Sequence, residues 1–154
     1  MLNPFLVVFS SLNSHGVKYL VIGGIAAIAH GVPRNTFDLD ILIEAVPGNA
    51  RRLLDALSDA GLGTALLTSP EELLKHEITI FRDRVRVDVQ TATPGLVFAE
   101  AWQRKVEMTY KDHVFLVVSR ADLIASKRAA GRAVDLEDIR LLDPASATEG
   151  TGKE

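Results

Sequence analysis

The stretch YLVIGGIAAIAHGVPRNTFDLDILIE, residues Tyr19 to Glu44, contains two strand-like runs, a glycine pair and two closely spaced aspartates. It begins with a β-type apolar run, which is followed by the pair Gly23-Gly24 and a short Ala/Ile-rich segment of helical character. A turn then leads to a second strand that carries Asp38-Leu39-Asp40. Because side chains alternate between the two faces of a strand, both aspartates are predicted to point the same way.

Two aspartates on one strand face repel each other, and burial makes the repulsion worse. A divalent cation removes this conflict, and Mg²⁺ is commonly held by one or two carboxylates together with substrate phosphates. Glycines let the backbone approach a phosphate closely, and the following helix offers free N–H groups at its positive end. The stretch therefore predicts a metal–triphosphate site. The alternative is a tight strand-to-helix turn followed by a capping acid, Asp38, and a solvated strand acid, Asp40.

A third acid, Asp88, lies in a run that alternates cleanly between apolar and polar residues, Val85 to Thr91. The valines of this run are expected to face the core, which leaves Asp88 on a polar face beside Arg86. A strand-like run precedes it, and the turn candidate Arg82-Asp83-Arg84 between the two predicts a hairpin. On these residues alone, an Arg–Asp pair on a wet strand face is an open alternative for Asp88.

The glycine pair Gly23-Gly24, Arg34, Thr36 and the Asp38-Leu39-Asp40 motif resemble the nucleotidyltransferase superfamily with the DNA polymerase β-type palm. The closest subset is the small bacterial proteins related to the AbiEii-type toxins of toxin–antitoxin systems. The resemblance implies that the glycines hold a triphosphate and that the two aspartates bridge two Mg²⁺ ions, with Mn²⁺ as an alternative ion. Arg34 and Thr36 would orient phosphate or acceptor, and Arg34 is the better candidate because a guanidinium binds phosphate in bidentate fashion.

The same resemblance implies a role for Asp88 as the third carboxylate of the palm. It would complete the metal that activates the attacking hydroxyl, and it would accept the hydroxyl proton.

The segment from residue 121 to 139 also resembles this family, in its Asp-Leu-Ile-Ala-x-Lys and Gly-Arg-x-x-Asp-Leu-x-Asp patterns. The lysine of this helix faces the nucleotide phosphates in relatives, and that role would fall to Lys127. A lysine that extends along a packed helix to reach solvent is an open alternative. Relatives often carry a second basic residue just before the last helix, where this chain has Val134. Asp135 and Asp138 are expected to be helix-cap and first-turn acids rather than ligands.

Composition limits the classes of protein and of site. The chain has 154 residues, a formal net charge of −3 and no cysteine. One domain is predicted over residues 1–144, followed by a disordered tail over residues 145–154. The absence of cysteine excludes thiolate sites and is typical of a reducing cytoplasm, and no apolar run is long enough to span a membrane. The weak charge and the scarce aromatic residues argue against an extended base-stacking platform.

The expected fold class is α/β (α+β), with a mixed, partly antiparallel sheet and helices packed on one face, as in the nucleotidyltransferase palm. The expected function is Mg²⁺-dependent transfer of a nucleoside monophosphate from an NTP to a hydroxyl acceptor, with release of pyrophosphate. The sequence leaves open whether the acceptor is tRNA, a protein hydroxyl or a small molecule. The second hypothesis is a catalytically weak nucleotide- or partner-binding component of a toxin–antitoxin-type pair, with a cognate protein partner. The three carboxylates favour the enzyme, whereas a small palm with no evident acceptor domain favours the partner.

Overall fold

The computed structural model describes residues 2–143, so the disordered tail predicted for residues 145–154 lies outside the described part. The strands are β1 (Tyr19–Ile22), β2 (Asp38–Ile43), β3 (Ile78–Arg82), β4 (Arg86–Gln90), β5 (Val106–Tyr110) and β6 (His113–Val117). The α-helices are α1 (Leu6–Ser14), α2 (Gly23–Ala29), α3 (Pro47–Asp59), α4 (Pro70–Leu74), α5 (Phe98–Gln103), α6 (Arg120–Ala130) and α7 (Ala133–Leu142). Short 3₁₀ helices occur at Asn3–Phe5 and Gly63–Leu67.

The strands form one six-stranded sheet in the order β3-β4-β2-β1-β6-β5. Two neighbouring pairs run parallel, β2 with β4 and β1 with β6, and the other three pairs are antiparallel. The predicted hairpin is present, with Arg82 opposite Arg86 at its closed end. The predicted α/β fold class with a mixed, partly antiparallel sheet is confirmed.

The core lies where the central strands meet the helices. Every residue of β1 is buried, and on β2 the side chains of Leu39, Ile41 and Ile43 are fully buried. Helix α2 packs on β1 and β2, while α1 packs on α3 and β6. Burial of the apolar face of β2 stabilises this register, because a slip by one residue would turn Asp38 and Asp40 into the core.

The last helix begins earlier than its sequence suggests. The expectation that Asp135 caps it is wrong in position: α7 starts at Ala133, and Arg132 is the N-cap residue. Asp135 instead lies in the first turn, where its carboxylate accepts a hydrogen bond from the backbone N–H of Arg132 at 3.1 Å. An acid at this position satisfies a free N–H group at the helix start, so the residue type is right and the boundary is displaced.

Membrane-spanning helices were not expected from the sequence. Across residues 2–143, none of the helices combines the length and the apolar composition that a bilayer crossing requires.

Candidate active site

The three predicted acids come together on one face of the sheet. In the parallel pairing of β2 with β4, Asp40 lies directly opposite Asp88, and Asp38 lies opposite Arg86. Neighbouring strands are about 4.8 Å apart, and paired residues point to the same face. The acids line a cleft of about 490 Å³ that is also lined by both glycines, Arg34, Thr36 and Lys127. All eight predicted site residues therefore meet in one cavity.

Asp40 is the acid whose electrostatics are most perturbed. Burial, followed by the nearby charges of Asp88 and Asp38, raises its pKa to about 7, against weaker opposing effects of Arg86 and Arg132. Its carboxylate makes no direct hydrogen bond or ion pair with side chains of the described residues. The site thus holds a largely buried carboxylate with no cation in direct contact among the described residues, as the sequence argument for a metal requires.

This perturbation predicts a pH-dependent stability in the absence of metal. Because the pKa of Asp40 is raised in the folded state, the folded protein binds a proton more tightly than the unfolded chain, and stability falls as pH rises towards 7. In EDTA, the free energy of unfolding should drop by roughly 2–3 kcal/mol between pH 5 and pH 8. Asp40→Asn should flatten this slope in urea titrations, and an unchanged slope would contradict the raised pKa.

Arg86 occupies the carboxylate oxygens that Asp88 would offer to a metal ion. Its guanidinium donates to both carboxylate oxygens of Asp88, at 2.8 and 3.1 Å, and lies 3.7 Å from Asp38. Among residues 2–143, no three His, Cys, Asp or Glu side chains are grouped to hold a metal ion as they stand. The donor set is nevertheless all oxygen, which suits Mg²⁺, and Asp40 faces the cleft without a partner. The residues would suit a metal ion only if Arg86 released Asp88.

The structure also contains the Arg–Asp pair that the sequence left open as an alternative role for Asp88. The Arg86–Asp88 pair exists, and Asp88 is at the same time the direct neighbour of Asp40. The two interpretations are compatible, because one arginine can neutralise Asp88 until a metal replaces it.

The glycine pair makes room for side chains of the site. Gly23 has a φ of +68°, which disfavours other residues, and a Cβ at this position would overlap the carboxylate of Asp40. A Cβ on Gly24 would lie 3.2 Å from the side chain of Thr36. Because Gly23 has no side chain, Asp40 can pack against the start of α2, and Gly24 leaves room for Thr36 in the same way.

A matched pair of variants isolates the Asp40 contact. Gly16 has nearly the same φ, +66°, but an added Cβ meets nothing within 4 Å. Gly16→Ala should cost about 1 kcal/mol for backbone strain alone, whereas Gly23→Ala should cost about 3 kcal/mol because Asp40 must also move. Chemical denaturation of both variants checks this difference. Equal losses would show that Asp40 does not pack against Gly23.

Comparison with protein families identifies a relationship for this chain. A family model described as a nucleotidyltransferase of unknown function (DUF6036) matches residues 7–143. The chain belongs to this nucleotidyltransferase family. A search of curated proteins finds no match. The matched residues include the three acids, both glycines and Lys127.

In this chain, an ion cluster joins α6, α7 and the turn before β2. Lys127 is only 4% exposed, and its Nζ lies 2.9 Å from Asp138 and 3.8 Å from Asp135. Arg34 pairs with the same Asp138 at 2.6 Å. Lys127 therefore does not extend to solvent as the alternative supposed, and it reaches the cleft wall while it is held by two acids.

The cleft also has a cation that sequence reasoning missed. Arg132 lines the cleft with a side chain that is 72% exposed, and Asp135 holds it through two hydrogen bonds of 2.7 and 3.1 Å. Its charge acts on Asp40 across the cleft. The second basic residue of relatives was expected at the position of Val134, but in this chain it is Arg132, two residues earlier. The signal was present in the Gly131-Arg132 pair of the quoted pattern.

Proposed function

We propose that this nucleotidyltransferase transfers a nucleoside monophosphate from an NTP to a hydroxyl acceptor in a Mg²⁺-dependent reaction that releases pyrophosphate. The observation that carries the proposal is the register that sets Asp40 beside Asp88, with Asp38 on the same face. Three carboxylates on one face of adjacent strands are unfavourable for Asp40, because burial and the charges of Asp88 and Asp38 raise its pKa. Such an arrangement is typical of a site that works on a cation and a phosphate.

The acids and the cations that line the cleft have different proposed roles. One wall carries the acids, and the other carries Lys127 and Arg132, which would contact the triphosphate. Arg34 would contribute mainly by fixing Asp138, and Gly24 and Thr36 would shape the floor. When bound, two divalent ions held by Asp38 and Asp40, one of them completed by Asp88, would neutralise the triphosphate and favour ionisation of the attacking hydroxyl.

The chemistry at the α-phosphorus follows from this placement. The acceptor oxygen forms a bond to the α-phosphorus while the bond between that phosphorus and the bridging oxygen to the β-phosphate breaks, and pyrophosphate leaves with the electron pair. The hydroxyl proton passes to Asp88, which becomes available as Arg86 moves from its carboxylate to the incoming phosphate charge. The cations of the opposite wall hold the leaving pyrophosphate.

Metal binding tests the proposal before any acceptor is known. In calorimetry with Mn²⁺ and a non-hydrolysable NTP, Asp38→Asn and Asp40→Asn should each weaken metal binding by at least about tenfold. Arg86→Gln should tighten Mn²⁺ binding without nucleotide by about three- to tenfold, because it removes a competing positive charge from Asp88. Asp55→Asn, on the exposed side of α3, is the control for loss of an acid far from the cleft.

The decisive result is that the Asp38 and Asp40 variants weaken Mn²⁺ binding, whereas Arg86→Gln strengthens it. A folded Asp38→Asn/Asp40→Asn double variant that binds Mn²⁺ and NTP like the wild type would end the metal-site proposal. Weaker binding in Arg86→Gln would mean that Arg86 positions Asp88 for the metal rather than competing with it.

A second candidate function is that of a partner-binding component, as in the AbiEii-type pairs that the sequence resembles. The observation that favours it is the pair Leu66 and Leu67, which is 74% and 84% exposed on the 3₁₀ helix Gly63–Leu67. Exposed apolar residues of this size are typical of protein contacts. Purification from the native cytoplasm should yield a stoichiometric protein partner that Leu67→Asp releases. Recovery of the chain alone would remove this candidate.

A further inference from the structure

A second groove, of about 710 Å³, opens beside the acid cleft. The two cavities share Thr36, Asp38 and Arg86, so the groove enters the cleft at the Asp38 end of the acids. Neither glycine borders the groove, and Lys127 does not border it either. The groove is therefore a separate approach to the same carboxylates, on the side away from the proposed triphosphate contacts.

Phe37 sets this groove apart from the rest of the surface. It directly precedes Asp38, lines the groove and is 84% exposed. The other phenylalanines of residues 2–143 are buried in the core, except Phe98, which packs partly against it. An aromatic ring that adds no core burial beside reacting acids offers a free face for a planar partner.

The charges of the groove favour an anion. Arg82, Arg84 and Arg86 line it against the two acids Asp38 and Asp83. Arg84 donates to the carbonyl of Ala60 at 3.1 Å and Arg86 is held by Asp88. Arg82 is exposed and makes no ion pair or side-chain hydrogen bond within the described residues, so its guanidinium is free to bind a phosphate.

We infer that this groove binds the acceptor, and that the acceptor is the hydroxyl-bearing end of a single-stranded nucleic acid. The terminal base stacks on Phe37, a backbone phosphate pairs with Arg82, and the terminal hydroxyl points to Asp38 and the cleft. This inference rests on the proposed function, since it names the acceptor of that reaction. One stacking ring and one free arginine suit recognition of an end, and they need neither an extended platform nor a basic chain. The end of a nucleic acid always has a backbone phosphate near its terminal hydroxyl, whereas a protein hydroxyl has an anion beside it only where the sequence supplies one.

Fluorescence anisotropy with a labelled single-stranded RNA oligonucleotide, in EDTA and without NTP, tests the inference. Phe37→Ala should weaken binding by roughly 5- to 100-fold, since stacking contributes about 1–3 kcal/mol per base. Phe37→Trp should restore it, which a merely structural role would not do. Arg82→Ala should reduce the slope of log affinity against log salt by about 0.7. Val97→Ala and Arg51→Ala, at an exposed valine and an arginine that both lie outside the groove, should bind like the wild type.

The inference is overturned if Phe37→Ala binds the RNA like the wild type, or if a duplex binds as tightly as the single strand. It is also overturned if a tyrosine-containing peptide, and not the RNA, loses binding in Phe37→Ala. Calorimetry with Mn²⁺ and NTP on the same proteins separates the two proposals. If the wild-type protein binds NTP but does not bind the RNA, this acceptor is wrong and the proposed function still stands.

Discussion

Asp88→Asn should lower the rate of label transfer from NTP to acceptor by about 10²–10⁴-fold, the range expected for loss of a proton acceptor. Asn keeps the shape of the side chain and removes the charge that Asp88 would offer to the hydroxyl proton and to one metal. Nucleotide binding should fall far less, because Lys127, Arg132 and the other two acids remain in the cleft. Transfer and nucleotide affinity are measured separately, in single-turnover assays and by calorimetry.

Two controls make this result interpretable. Asp55→Asn should transfer at the wild-type rate, and circular dichroism should show that Asp88→Asn is folded. Arg86 loses its partner in this variant, and the two bonds that it donates to Asp88 suggest a small loss of stability. Transfer at the wild-type rate in folded Asp88→Asn would reduce Asp88 to a partner of Arg86 and contradict the three-carboxylate mechanism.

Lys127→Met should destabilise the fold by about 2–4 kcal/mol, a larger effect than loss of a phosphate contact would suggest. The ammonium is buried between Asp135 and Asp138, and loss of one partner from a buried ion pair typically costs about 3–5 kcal/mol. Arg34 and Arg132 still compensate the two acids, which places the loss near the lower end of that range. Urea unfolding measures the change.

The matched control is Lys75→Met, which removes a lysine that is exposed and pairs with Glu72 on the surface. It should change the free energy of unfolding by less than about 0.5 kcal/mol. An equally small effect for Lys127→Met would mean that the ion cluster does not hold α6 against α7. Because Lys127→Met also lowers stability, a loss of triphosphate binding in that variant would have two explanations. Arg132→Ala therefore tests more cleanly whether a cation of the cleft contacts the triphosphate.

Strand periodicity is what made the acids predictable. Alternation places Asp38 and Asp40 on one face of β2, and the valines of β4 place Asp88 on its polar face. The pairing of Asp40 with Asp88 is a different matter, because two strands far apart in sequence meet there in a parallel register that only tertiary packing determines. The family resemblance supplied that expectation.

The parts that sequence reasoning missed depend on side-chain contacts across elements. Asp135 and Asp138 are three residues apart on α7, so they share a face and could have been expected to hold one cation together. That this cation is Lys127, and that Arg34 joins it, follows only from the packing of α6, α7 and the turn before β2. The exposure of Phe37 had no signal in the sequence, since an apolar residue before a strand usually packs.

Transfer of a nucleoside monophosphate can be distinguished from transfer of a phosphate by the position of the label in the NTP. The wild-type protein is incubated with Mg²⁺, a native cell extract and NTP labelled at either the α- or the γ-phosphate. We expect the α-label to become attached to an acceptor and the γ-label to be released as pyrophosphate, and we expect Asp40→Asn to abolish both events. Attachment of the γ-label with the wild type but not with Asp40→Asn would overturn the proposed reaction, because the protein would then transfer the terminal phosphate and not the nucleotide.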